Sequence, residues 1–171
     1  MVILRATQKL RSLLPPTASV VAESDTALGD WYVNRLTVDR RPLLLLVSSK
    51  ALLPMLVPAR DVRNLPARLP GLVAACLRRH GLASQLVAAE VGAMSPVVVA
   101  ATRDRSVVGI MVDYAKAVPF HLELGVWDDT SLPRVETQLA QTPCFAGRPF
   151  EQVVFPHKAA PSLLQSKWWA G

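Results

Sequence analysis

The sequence predicts an α+β (or α/β) fold, a single domain in which a small mixed β-sheet is covered by helices. Residues 31–47 alternate and then run apolar, as a β-hairpin with a buried second arm would. Residues 61–80 and 105–119 carry apolar side chains at steps of three and four, the spacing of helices with one buried face. The chain of 171 residues is 51% hydrophobic and 19% charged, which fits one buried core and excludes a disordered polyelectrolyte. No apolar run approaches the roughly 18 residues of a membrane span, so no membrane partner is expected.

Val2-Ile3-Leu4 reads as a short strand, followed by a Thr7 N-cap and a two-turn helix with Leu10, Leu13 and Leu14 on one face. Pro15-Pro16 stops that helix, and residues 17–27 read as a surface loop. In the hairpin, Trp31 to Val38 is the first arm and Leu43 to Val47 the second, with Asp39-Arg40-Arg41-Pro42 between them. The alternation slips at Asn34-Arg35, which predicts a bulge there. A short helix from Lys50 to Leu53 and an extended piece at Met55–Pro58 come next. The helix of 61–80 buries Leu65, Leu69, Leu72, Val73, Cys76 and Leu77, tolerates Pro70, and ends at Gly81. Ala83–Glu90 reads as a further helix and Val97–Ala101 as a buried strand. Thr102–Ser106 is a polar connection with two possible N-caps, opening a helix striped by Val107, Val108, Met111, Ala115 and Val118. A weaker helix spans Leu132–Leu139. Residues 1–155 form the domain and 156–171 a C-terminal tail, whose Trp168-Trp169 end either packs back or is loosely ordered. Trp31 and Val108 are expected to share one apolar interior.

The net charge of +6 makes the protein basic, but its arginines and lysines are dispersed and read as a solvated surface. Cys76 sits on a helical stripe and reads as a small buried hydrophobe, consistent with a reducing cytoplasm. The N-terminal stretch, basic and free of acids up to Ala22, has no long apolar h-region and reads as folded chain rather than a targeting segment.

The polar residues Asp30, Asn34, Arg103, Arg105 and Ser106 lie at the hairpin start and at the loop before a helix, where an anion can be held. With Asp113 on that helix, they are the candidate binding residues. A structural reading of the same residues has Asp104 or Ser106 capping the helix while Arg105 pairs with Asp30. Asp30, Asp113, His121 and Glu123 form the alternative constellation, a hard-cation site for a metal-dependent nuclease or hydrolase. His121-Leu122-Glu123 with Pro143-Cys144 matches part of a zinc deaminase signature, but Gly147 stands where its second cysteine ligand would be. No glycine-rich phosphate loop, nucleophile elbow, H-E-x-x-H or paired C-x-x-C occurs. No metal, cofactor or catalytic residue is therefore assigned.

Leu28-Gly29-Asp30-Trp31-Tyr32-Val33-Asn34, Arg105-Ser106-Val107-Val108-Gly109-Ile110-Met111-Val112-Asp113 and Thr142-Pro143-Cys144 together resemble a bacterial family, domain-of-unknown-function family 6933. Its pattern is L-G-D-W-Y-x-N, R-S-V-L-G-S-M-N-D and T-P-[MC], in this order. Here Ile110 stands where serine is usual and Val112 where asparagine is usual. The resemblance implies a bacterial protein and names no reaction, and the cysteine usage points to a cytoplasmic one. The functional expectation is a non-catalytic binding or interaction domain. It would meet another protein or a nucleic acid at a polar, basic surface near the 28–35 hairpin and the 102–106 loop.

Overall fold

The computed structural model describes residues 1–16, 22–145 and 153–169. Five strands, β1 (Val2–Ala6), β2 (Trp31–Val38), β3 (Arg41–Ser48), β4 (Pro54–Pro58) and β5 (Val97–Ala101), form one sheet in the order β4-β3-β2-β1-β5. β1 runs parallel to both of its neighbours, whereas β2, β3 and β4 form an antiparallel meander. The sheet is mixed, as the sequence predicts. The extended piece after the hairpin joins it as an edge strand, where Pro54 and Pro58 do least harm.

Because side chains alternate along a strand, the apolar sheet residues sort onto two faces. Leu4, Trp31, Val33, Leu44, Leu46 and Met55 face the first core, closed by α2 (Leu65–Arg79), α3 (Ser84–Gly92) and α6 (Pro156–Trp168). Tyr32, Leu43, Leu45, Val47 and Leu56 face the second, closed by α4 (Arg105–His121) and α5 (Leu132–Ala140). The short α1 (Gln8–Arg11) adds Leu10 to the first core. Helices on both sides explain why β3 is apolar on both faces. Cys76 is fully buried in the first core with a free thiol.

Three expectations are corrected, and the alternative left open for the C-terminal tail is resolved. Trp31 and Val108 do not share an interior: they lie on opposite faces of one sheet, Trp31 with α2 and Val108 against the second core. No bulge interrupts β2, whose register with β3 is unbroken from Trp31↔Ser48 to Val38↔Arg41. The slip in its pattern arises because Trp31 and Val33 are buried on one face, whereas Leu36 and Val38 pack on the other. Residues 49–51 form a turn rather than a helix: one helical bond, Leu52 N to Ser48 O at 2.9 Å, is followed by Leu52 at φ 57°. Residues 156–168, read as a tail, form α6, which buries Ala160 and Leu164 in the first core.

Asp39 and Arg40 both have positive φ, so the β2–β3 connection is a two-residue turn whose twist suits the strands. The Asp39 carboxylate steadies it by accepting from Gly125 N (2.7 Å) and Trp127 Nε1 (2.8 Å).

In the parallel part of the sheet, Arg5 of β1 donates through Nε to the Asp30 carboxylate and through a terminal nitrogen to Ala101 O at 2.9 Å. Both side chains are nearly buried. Removing one partner of such a pair strands a charge in low dielectric, at about 3–5 kcal/mol. Asp30→Ala is therefore expected to lower the unfolding free energy in urea by that amount, while Arg105→Ala leaves the midpoint unchanged.

Candidate functional site

The candidate residues divide into two groups. Asp30 is consumed by the fold: besides Arg5, it accepts from the Ser24 hydroxyl at 2.6 Å, and its amide donates to Ser49 Oγ at 2.9 Å. Asn34, half-buried, accepts from the Thr7 hydroxyl (3.3 Å) and the Arg35 amide (2.8 Å). Arg105, Ser106 and Asp113 are exposed on α4, and Arg103 is exposed just before it.

The hairpin is pinned to α4 by a different bond from the expected Arg105–Asp30 pair. Tyr32 Oη accepts from the Asp104 amide at 2.9 Å. Asp104 itself caps the helix, accepting from Ser106 N at 2.8 Å and from Val107 N at 3.4 Å. This cap already uses the first amides of α4, so the helix terminus does not offer the open anion cradle suggested by the loop sequence.

The alternative metal constellation is not assembled. Among the described residues, no three His, Cys, Asp or Glu side chains gather closely enough to hold an ion. Asp30 is held by Arg5 at the sheet, and Glu123 lies beyond the end of α4. Position 147 of the deaminase-like signature lies outside the described residues.

The structure instead brings two separate sequence segments together. Residues of α4 between 105 and 117, Leu139 of α5 and residues 142–145 together line a groove of about 660 Å³. Its wall includes Arg105, Ser106, Gly109, Ile110, Val112 and Asp113 from the second family-like segment. Thr142, Pro143 and Cys144 supply the third segment, joined by the partly exposed Phe145. Val112 also remains partly exposed on the rim, whereas Ile110 is buried in the wall. The two positions that depart from the family pattern thus both line this groove. The groove is mainly hydrophobic, with Arg105 and Asp113 as its charged groups.

Beneath it, Tyr114 Oη donates to Leu52 O at 2.8 Å and lies 3.2 Å from Cys144 Sγ. Cys144 is further fixed by two 2.8 Å backbone bonds with Val154. Burial pushes the Cys144 thiol up; the Tyr114 hydrogen bond opposes this and Asp113 nearby adds to it, with the net shift upward, so the sulfur is held as a thiol rather than a nucleophilic thiolate. Burial likewise pushes the Tyr114 hydroxyl up and keeps it protonated as a donor. Tyr114 and Cys144 therefore shape the groove floor. Sequence reading missed this floor because Tyr114 and Cys144 are thirty residues apart; the available hint was a glycine, Gly109, on the outer face of a helix.

Fold and groove together define a single-domain α+β protein with a five-stranded mixed sheet and an open apolar cleft on one helical layer. The chain belongs to the family described as "Domain of unknown function (DUF6933)", whose model matches residues 3–159. No curated protein and no solved structure matches it. No helix among the described residues is long and apolar enough to cross a membrane.

Tyr114→Phe removes the donor to the Leu52 carbonyl without changing ring volume. The expected result is a loss of about 1–2 kcal/mol in urea unfolding, the cost of leaving a buried acceptor unpaired.

Proposed function

We propose that this protein is a non-catalytic interaction domain that binds a partner protein along the exposed face of α4 and its adjoining groove. The 102–106 loop, with Arg103 and Arg105, forms the basic end of that surface. The observation that carries this reading is the meeting of residues 105–113 and 142–145 around one apolar groove. That groove continues onto a helix face carrying Val112 at 45% exposure and Phe120 at 89%. Open apolar surface of this kind is the usual mark of a binding site for an apolar or protein partner. It favours a protein over nucleic acid, because two arginines at one end do not make the basic stripe that a phosphate backbone requires. The 28–35 hairpin supports the surface from behind through the Tyr32–Asp104 bond.

The test is a photo-crosslinking residue placed at Val112, with one at the exposed Arg35 as control, in cells producing the full chain. A single adduct is expected from position 112 and none from 35. Its partner, identified by mass and purified, should rebind the wild-type chain and lose at least about tenfold in affinity with Gly109→Arg. Adducts of equal yield from both positions, or unchanged binding by Gly109→Arg, would overturn the reading.

A further inference from the structure

The outer face of α4 is complementary to itself, and we propose that its occupant is a second copy of this chain, packed α4 against α4 in antiparallel sense about a two-fold axis. This rests on the interaction-domain reading above and names the partner. Gly109, Asp113, Lys116 and Phe120 follow one another at steps of four, three and four, and so form a single line along the solvent side of the 17-residue helix. Phe120, at 89% exposure, is the most exposed large apolar side chain among the described residues. Gly109 is its counterpart, a hollow: among the described residues nothing beyond its own helix lies within 4 Å of where a Cβ would stand. Asp113 and Lys116 make no ion pair among the described residues.

One register satisfies the apolar and the charged positions together. A two-fold axis passing between the levels of Tyr114 and Ala115 sets Phe120 of one copy over Gly109 of the other. The same register sets Asp113 opposite Lys116, and symmetry makes each contact twice. The hollow at Gly109 opens into the groove, so the ring gains an apolar seat rather than a flat surface. A parallel alignment in register would instead oppose Asp113 to Asp113 and Lys116 to Lys116, which like-charge repulsion disfavours.

The purified full chain is examined by sedimentation velocity across the micromolar to millimolar range, with circular dichroism confirming that each variant is folded. A concentration-dependent dimer is expected for the wild type. Phe120→Asp, Asp113→Lys and Lys116→Asp should each weaken it by roughly tenfold or more. An equimolar mixture of the Asp113→Lys and Lys116→Asp chains should then restore dimers, because each copy supplies the charge the other lacks at both contacts. A wild type monomeric throughout the range, or a mixture that stays as weak as its components, overturns the proposal. If the wild type is monomeric while position 112 still captures a different, verified partner, the homodimer falls and the interaction-domain reading stands. If the adduct is also missing, both fall.

Discussion

The buried pair of Arg5 and Asp30 is the constraint on which the sheet depends. β1 is its central parallel strand, and Arg5 reaches from it to the start of β2 through Asp30 and to the end of β5 through Ala101 O. Attraction between the charges is opposed by the cost of desolvating both, so the pair is tolerable only when its remaining hydrogen-bonding capacity is filled. Ser24 does this on the Asp30 side, and its hydroxyl also accepts from the Ile3 amide at 2.9 Å, tying the approach segment to β1. Gly29 permits the approach. Its φ is +78°, and a Cβ there would come within 2.4 Å of Ser49 Oγ. The L-G-D-W-Y segment is thus a device for bringing β2 into register: a hollow, a buried charge and two ring anchors in succession.

Two other buried carboxylates perform comparable tasks at the periphery. Glu90, fully buried on α3, accepts from the amides of Ala27 and Leu28 at 2.8 and 3.0 Å and from Trp168 Nε1 at 2.7 Å. One side chain thereby joins the segment before β2 to α3 and α6, which makes α6 part of the packed body. Glu136 on α5 accepts from the Leu56 amide at 2.8 Å and pairs with Arg79 at 2.6 Å. Burial pushes this carboxyl up, while the amide and Arg79 oppose the shift. By occupying an amide of edge strand β4, between Pro54 and Pro58, it closes that edge to another strand.

These three acids show where sequence reading stops. The fold class, the hairpin, the long helices and the two-sided burial of β3 were legible because each is written in local periodicity. Arg5, Glu90 and Glu136 were not, because a charged residue that is buried and matched looks in sequence like one on the surface. Asp30 drew notice as a candidate, but its partner lies twenty-five residues away rather than in the arginine-rich loop. Of the candidate residues, Arg105 and Ser106 stood out as the polar start of a helix and Asp113 as a carboxylate on it, and all three line one groove. The lining at 142–145 needed the chain to fold before it could be seen as part of the same groove.

The remaining question is why α4 carries the residues it does on its outer side. The helix is held from within by Val107, Met111, Tyr114 and Val118, all buried in the second core. Its outer positions are free to be good helix formers, yet Gly109 costs about 1 kcal/mol relative to alanine and β-branched Val112 a further fraction. Among the described residues nothing offsets this: no atom beyond its own helix approaches the missing Cβ of Gly109, and Val112 remains 45% exposed. Phe120 adds an aromatic ring to water at the same face. Three outward positions forgo local stability without a compensating contact among the described residues, and the contact with another molecule proposed above would supply the missing compensation.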